Sequence, residues 1–524
     1  MMVLARLVFI IALVCCAGHD AAEPLTLRTA TPVVLRPGHP TRLEVILTQD
    51  RPMLMEGRLR LAVVDGPATL LTWTSDAWVI SGERRSTVLL PPVVGENNGL
   101  EVHATWISED GTVRDLDPPT LLPAPAGVLG LCCEGPLPAI LAPERLVPGE
   151  GRERTATVII PADAAPTTAL GWSVCDVVGL DEAACARLSA ASRSALITWV
   201  RGGGGLALFG PVPADFAAVV ADPGLGRVLA ATASEATSWR GAVAELWGLS
   251  TETRQQFIAG EAAWMPERPA DSMYRHQQAA GEHRADLTRE LWPQSMAQVP
   301  VGPVLGLFAV FVLMVGPGEW FLLGLIRRRR WTWITFPLTA AAATWATLAV
   351  AQHYLGNADH HRRLLITDRD AQGVALRTTT WDLHILGSGR TLTETPGDAA
   401  WMALDTRPPQ GYRRGGDGVG TQVAWQVEGG RASVARQVSQ WSPALSVHAG
   451  WGGNAAEQGT VVTITAKDGD VKGSGHSADW LRPLLDPPTA LRANWTGTLR
   501  YALTTDSDGL ILDRTWTFTA ENPP

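Results

Sequence analysis

Residues 301 to 354 constrain the fold of this chain most, because two long apolar runs are joined there by consecutive arginines. The first run, Val301 to Ile326, is long enough to cross ~30 Å of hydrocarbon as a helix. The second run, Trp331 to Ala351, follows at once. The loop between them consists of Arg327, Arg328, Arg329 and Arg330. The pattern favours a two-helix membrane hairpin over a buried hairpin in a soluble core.

The arginine loop also predicts a topology. Positive residues in short loops favour the cytoplasmic side, and Trp331 and Trp333 suit the membrane interface. Residues 1 to 17 independently resemble a secretory signal, with a lone Arg6 and an apolar stretch from Leu7 to Val14. We therefore expect a multi-pass protein of the bacterial inner (cytoplasmic) membrane, with extracytoplasmic domains before and after the hairpin.

Composition limits the function classes. The 524 residues have room for three or four domains, and the net charge of −9 gives no basic footprint for nucleic acid. After the signal, the cysteines are Cys132, Cys133, Cys175 and Cys185. They are either disulfide-bonded, with three complete pairings possible, or small buried apolar residues. Their spacing does not indicate zinc, and we expect no cofactor or metal.

Two regions have the alternating pattern of β-strands. Residues 24–122 contain short strands such as Thr41 to Leu47, separated by turns such as Asp65-Gly66, and predict an immunoglobulin-like β-sandwich. Residues 362–524 show the same alternating pattern, with a clear hairpin of Thr498 to Thr504 against Leu510 to Phe518. We expect a second, extracytoplasmic β-sandwich there.

The segment between them, residues 127–290, alternates short apolar runs with helical sequence, which predicts an α/β domain with a parallel sheet. The strands are Val128 to Leu131, Thr157 to Ile160, Trp172 to Val178 and Leu206 to Phe209, and a helical stretch from Ala183 to Val200 breaks near Ser189. Gly202 to Gly205 follow that helix and precede a strand, the reverse of a phosphate loop. They predict a helix C-cap and a tight turn.

Several motifs of this segment carry a family resemblance. The run from Trp172 to Leu180, then Trp199 to Arg201, then Gly202 to Gly210, resembles the class I glutamine amidotransferase-like domain of bacterial membrane proteins. Gly316 to Leu323 and Trp331 to Pro337 resemble the membrane segment of the same proteins. The resemblance implies a flavodoxin-like α/β fold. It also implies a catalytically degenerate domain, because the expected nucleophilic cysteine would follow the glycine-rich strand and no cysteine follows Cys185.

Four residues are candidates for a functional role. Cys132 and Cys133 follow the first strand of the α/β domain, where a parallel sheet places its ligand pocket. Asp176, which belongs to the motif above, is a third candidate for this pocket. A buried or disulfide-bonded pair is the alternative for the cysteines. Glu319 is a costly intramembrane carboxylate. It is either a proton or coupling site, or a structural group that reaches the arginines or packs against the second helix.

Three functions are compatible with these patterns. The first is a non-enzymatic binding, scaffolding or sensing protein that works with envelope or membrane partners. The second is an auxiliary subunit of an ABC-type transport or motility system, because similar domains occur in such subunits. The third is an envelope hydrolase or amidotransferase with an unconventional nucleophile, for which Ser477 within Gly475 to Asp479 is a weak candidate.

Overall fold

The structure is a computed structural model of the chain. It describes residues 25–30, 33–36, 38–49, 54–66, 68–93, 100–122, 127–133, 155–231, 288, 291–293, 296, 301–325, 331–404, 423–452, 460–467, 470–472, 497–505 and 509–518. The signal-like residues 1–17, the arginines at 327–330, Ser477 and most of residues 232–290 lie outside the described residues.

Most of the described chain is β-sheet, with a few helices. The first β region contains β1 (Leu25–Thr29), β2 (Val33–Val34), β3 (Thr41–Gln49), β4 (Met55–Asp65), β5 (Ala68–Thr74), β6 (Trp78–Ile80), β7 (Glu83–Leu90), β8 (Leu100–Ser108), β9 (Val113–Leu116) and β10 (Leu121–Leu122). Along β3 every second side chain is buried, as the alternation predicts. β1, β3 and β7 form one antiparallel sheet.

The next region is an α/β domain built on a parallel sheet. Its elements are β11 (Gly127–Cys132), β12 (Thr155–Ile159), α1 (Ala169–Trp172), β13 (Val177–Asp181), α2 (Glu182–Arg187), α3 (Ala190–Arg201), β14 (Gly205–Phe209), α4 (Ala214–Ala221) and β15 (Arg227–Ala231). The five strands are parallel, in the order β12-β11-β13-β14-β15. The predicted parallel sheet with intervening helices is therefore present in this region.

Two local predictions in this domain have different outcomes. The predicted helix break is confirmed, because Ser189 caps α3 by accepting a hydrogen bond from the Ser192 backbone N–H. The predicted strand from Trp172 to Val178 is wrong in its first half, since Trp172 ends α1 and β13 begins only at Val177. All the apolar side chains between Trp172 and Val178 are buried, so their pattern does not separate the end of a helix from the start of a strand.

The glycine run is a helix terminus and a turn, as predicted. Gly202 caps α3: its N–H donates to the Thr198 carbonyl, and the Gly203 N–H donates to the Val200 carbonyl. Gly203 has a φ of 129°, a conformation that favours glycine. A Cβ on Gly204 would lie 2.5 Å from the Trp199 ring. Close packing and backbone shape, not a bound phosphate, explain these residues.

Two further helices are candidates for crossing a membrane. α5 (Val301–Leu313) continues through a π-helical turn (Met314–Gly318) into α6 (Glu319–Leu325), and α7 (Thr332–Leu355) runs back beside it. Gly302–Leu325 and Thr332–Leu355 each have 24 residues, and their apolar windows are not buried. Phe308, Phe321 and Trp345 are more than half exposed. A hairpin in a soluble core would instead be mostly buried.

The second β region contains β16 (His360–Arg369), β17 (Ala375–Ile385), β18 (Arg390–Glu394), β19 (Ala400–Leu404), β20 (Val423–Glu428), β21 (Arg431–Val438), β22 (Pro443–Trp451), β23 (Thr460–Lys467), β24 (Asp470–Lys472), β25 (Gly497–Thr505) and β26 (Gly509–Phe518). One eight-stranded sheet has the order β19-β22-β17-β16-β26-β25-β23-β24. The predicted hairpin is confirmed, because β25 and β26 pair antiparallel.

The two β regions differ from the expectation of two separate sandwiches. A second eight-stranded sheet has the order β18-β21-β20-β5-β4-β8-β9, with β6 beside β4. It contains strands of both regions, which meet where β20 runs parallel to β5 and Val423 pairs with Leu71. Trp401, Trp425 and Val434 share one buried cluster with the core of the first region. The described β regions therefore form one folded unit around a common core.

Candidate functional site

The strand order of the parallel sheet reverses at β11, which is where sheets of this kind form a ligand crevice at their carboxyl edge. The chain passes from β11 outward to β12 and then returns to the other side of β11 with β13. In open parallel sheets, ligands bind outside the carboxyl ends of the strands at such a reversal. Cys132 ends β11, and Asp181 ends β13 beside it. The structure therefore places Cys132 and Cys133 at the edge where the sequence analysis expects a pocket.

The thiols at this edge are poor nucleophiles. Cys132 is fully buried and Cys133 is partly buried, and all four described cysteines are present as thiols. Burial raises the pKa of Cys133 to about 12, and the Asp181 charge adds to this effect. Burial likewise raises the pKa of Cys185 to about 11. Thiol chemistry requires the thiolate, so these groups suit binding or packing better than covalent catalysis.

The polar groups of this edge support the local fold. The Asp181 carboxylate accepts a hydrogen bond of 2.7 Å from the Ala184 backbone N–H and so caps α2. Glu182 is exposed beside it. Gly210 follows β14 with a φ of 113°, and a Cβ there would lie 3.6 Å from the Glu182 Cβ. The edge thus presents the exposed carboxylate of Glu182, while the Asp181 carboxylate acts on the partly buried Cys133 thiol.

Asp176 is not part of this crevice. It immediately precedes β13 and therefore lies at the amino edge of the sheet, opposite Cys132 and Cys133. Its Oδ2 accepts hydrogen bonds of 2.7 Å from the Arg36 guanidinium and 2.7 Å from the Val128 N–H. Both charged side chains are buried, at 6% and 9% exposure. Asp176 is a link between the first β region and the α/β domain, so its assignment to a pocket is corrected.

The structure pairs Glu319 with the neighbouring helix. Glu319 begins α6, directly after the π-helical turn that contains Pro317. The Thr335 hydroxyl, on α7, donates a hydrogen bond to its carboxylate. This contact agrees with a structural group that packs against the second helix, one of the two alternatives for this residue. Its relation to the arginines at 327–330 lies outside the described residues.

The sequence analysis missed a cluster of ionisable side chains in the second β region. Its centres are Asp382 and Glu394, surrounded by His361, His384, Arg436 and His448. These residues lie on five strands and span almost 90 positions, so spacing along the chain does not reveal them. One sequence signal points to this cluster: Asp382 and His384 lie on one face of β17, opposite the buried Trp381, Leu383 and Ile385.

This cluster is not a metal centre of a recognised kind. Across the part of the chain that the structure describes, no group of three or more His, Cys, Asp or Glu side chains is arranged to hold a metal ion. That result includes His360 and His361, which follow α7.

Comparisons with known proteins provide no family for this chain. No protein-family model matches it, and no curated protein matches it. Among solved structures, a segment is similar to a β-glucosidase from Listeria innocua, with 14% identity and a TM-score of 0.13. The match covers 19% of this chain and 17% of the β-glucosidase, and at this TM-score it carries no information on fold or activity.

Proposed function

We propose that this chain is a membrane-anchored binding and scaffolding or sensing protein of the bacterial envelope, without catalytic activity. In this proposal the hairpin α5–α7 crosses the inner membrane, and the β regions and the α/β domain lie on its outer side. The exposed apolar side chains of the hairpin support the membrane location, because such a surface is unfavourable in water. The arginines at 327–330 support the orientation.

The observation that carries this proposal is that direct contacts connect the two β regions and the α/β domain to one another. The Arg36–Asp176 pair links the first β region to the α/β domain, and Arg201 contacts Asp370 at 2.7 Å to link that domain to the second β region. The β5–β20 pairing links the two β regions directly. Parts held in this way present a fixed surface above the hairpin, which suits binding and scaffolding.

The family assignments within this proposal rest on strand order and sequence motifs. The order β12-β11-β13-β14-β15 is that of flavodoxin-like folds, which supports an amidotransferase-like α/β domain. Antiparallel strands with alternating burial support an immunoglobulin-like first β region. The full burial of Cys132 and the raised pKa of Cys133 make a hydrolase or amidotransferase that uses either thiol the weaker alternative.

A groove in the hairpin favours a second candidate function, an auxiliary subunit of an ABC-type transport or motility system. The groove has a volume of about 380 Å³ and opens between α5 and α7. Phe308 and Phe311 line one side, and small residues such as Ala340 and Ala343 line the other. Small residues allow close approach of another transmembrane helix, so a partner subunit would fit here.

The first test is purification of the intact protein from its native membrane in mild detergent, followed by mass spectrometry. For a scaffold we expect stoichiometric envelope or membrane proteins in the preparation. An ATPase among them would favour the transport subunit. Substitution of Ala343 by Leu, which fills the groove, should release a partner that binds there, whereas Ala342→Leu, outside the groove lining, should not. Recovery of the protein alone from several detergents would contradict the scaffold proposal.

A further inference from the structure

The ionisable cluster of the second β region lies between two sheets. Glu394 on β18 and Arg436 on β21 belong to the sheet that the two β regions share. His361, Asp382, His384 and His448 belong to β16, β17 and β22 of the other sheet. Every contact between the two groups of residues therefore holds one sheet against the other.

Glu394 is the centre of the first half of this cluster. Its carboxylate accepts hydrogen bonds of 2.9 Å from the Trp401 indole and 3.3 Å from the Ser446 hydroxyl. His384 lies 3.1 Å away and Arg436 3.7 Å away. Burial alone would raise the pKa of Glu394, but the hydrogen bond from His384 and the charge of Arg436 lower this pKa to about 2. The carboxylate is therefore charged throughout the physiological range.

Asp382 is the centre of the second half. It lies 2.7 Å from the His361 ring and 3.3 Å from the His448 ring. The His361 and His384 rings stack at a centroid distance of 4.4 Å, which connects the two halves. Arg363 on β16 is the register partner of Asp382. The Asp382 carboxylate is thus close to two histidine rings, those of His361 and His448. The ring of His361 also stacks on that of His384.

Apolar clusters flank this polar layer on two sides. Trp401 packs on Trp425 and Arg436, and it belongs to the core that both β regions share. Leu386, Val438 and Ala444 form a separate small core. His361 lies at the exposed rim of this layer, with 46% of its side chain accessible, whereas His448 is 21% exposed and Glu394 is 11% exposed. A charge that appears on His448 is therefore screened by water less than a charge at the surface, and its cost is larger.

The charge of this layer depends on the histidines. The groups that face one another are His361 and Arg363 on β16, Asp382 and His384 on β17, Glu394 on β18, Arg436 on β21 and His448 on β22. With neutral histidines, the two guanidiniums balance the two carboxylates. Each proton taken up by a histidine adds one uncompensated positive charge to the layer, up to a total of three.

We propose that this layer is an acid-sensitive joint, which holds the two sheets together near neutral pH and loosens their contact when its histidines take up protons. The responding part is the β18–β21 edge of the shared sheet, because Glu394 and Arg436 are its contribution to the layer. This device does not depend on the proposed binding function or on the membrane location. In an envelope protein it would make the extramembrane surface responsive to external acidity.

The direction of the pH effect follows from two groups. Burial lowers the pKa of His448 below its ordinary 6.5, although Asp382 and Glu394 act in the opposite direction. The unfolded chain therefore binds this proton before the folded chain does, and stability falls as the pH decreases through 6.5. Glu394 contributes stability above its ordinary pKa of 4.5, and this contribution is lost as the pH falls from there towards 2. Both groups predict weakening in acid.

Hydrogen–deuterium exchange of the intact protein in lipid nanodiscs tests this joint. Peptides that cover β18, β21 and β22 are compared at about pH 7.5 and about pH 5.5, with labelling times corrected for intrinsic exchange. We expect the corrected exchange rates of these strands to rise about twofold or more in acid, while those of β3 and β7 change little. His448→Gln, which cannot take up a proton, should reduce this rise.

The control is His103→Gln, since His103 also lies beside a carboxylate, at 3.4 Å from Glu101, but is 58% exposed. It should leave the acid response unchanged. If His448→Gln does not fold, His384→Gln replaces it in the same comparison. An acid response that is absent from the wild type, equal in all strands, or unaffected by both cluster variants would overturn the proposal.

Discussion

At the scale of single residues, the buried pair of Arg36 and Asp176 is the contact on which we expect the α/β domain to depend most. Asp176→Asn leaves the Arg36 guanidinium buried beside an uncharged amide. Breaking a buried pair by removal of one partner costs about 3–5 kcal/mol. We therefore expect Asp176→Asn to lower the free energy of unfolding by that amount, measured by denaturant titration in detergent.

An exposed ion pair provides the control for this prediction. Arg58 of the first β region and Glu428 of the second form an ion pair at 3.5 Å, and their side chains are 43% and 69% exposed. Exposed pairs contribute about 0–1 kcal/mol, because water screens them. Glu428→Gln should therefore change the free energy of unfolding by no more than this. Equal losses for Asp176→Asn and Glu428→Gln would show that the burial of the first pair has no energetic consequence.

At the scale of elements, the hairpin contains one polar contact between its helices, among those that the structure describes, and it can be removed selectively. Thr335→Val removes the donor to Glu319, whereas Glu319→Gln keeps an oxygen acceptor. Hydrogen bonds between membrane helices contribute about 0.6 kcal/mol on average, with larger values near 1.7 kcal/mol. We expect Thr335→Val to lower the thermal stability in detergent slightly and Glu319→Gln to leave insertion and folding intact.

The matched control for the hairpin is Thr347→Val. Thr347 donates only to the Ala343 carbonyl of its own helix, so its loss removes no contact between the helices. Membrane insertion is measured by protection of the hairpin from protease in vesicles. Loss of folded protein on Glu319→Gln would show that the negative charge itself is required for folding, which is a structural role and not a proton or coupling role.

The elements that local patterns predicted correctly are those with a clear periodicity or cap. The alternation in β3 identified its buried face, and Ser189 marked the start of α3 because a serine hydroxyl caps a helix. Trp172 was assigned to a strand because a short run of buried apolar side chains has the same composition at a helix end and in a strand. The Cys132 end of β11 was predictable from strand order, whereas the pairing of Asp176 with a residue 140 positions away was not.

At the scale of the whole molecule, sequence could not reveal that the two β regions share a sheet. β5 and β20 are separated in the sequence by the entire α/β domain and the hairpin. No local sequence pattern specifies which distant strand will pair with the edge of β5. The ionisable cluster was missed for the same reason, since His361, Glu394 and Arg436 come together only through strand pairing and sheet packing. Local sequence patterns were therefore sufficient to predict helices and strands. The side chains that come into contact depend on which distant strands pair and how the sheets pack.

The shared sheet predicts that the two β regions unfold together. Leu71, on β5, is 1% exposed and packs in the core that also contains Val423 and Trp425 of the second region. Leu71→Ala should cost about 2–5 kcal/mol through lost burial and a residual cavity. Hydrogen–deuterium exchange should then rise in β20 and β21 as well as in β4 and β5. Leu196→Ala, which opens the separate core of the α/β domain, should instead raise exchange mainly around the parallel sheet. A rise confined to the first β region in Leu71→Ala would show that the two regions unfold independently despite the strand pairing between them.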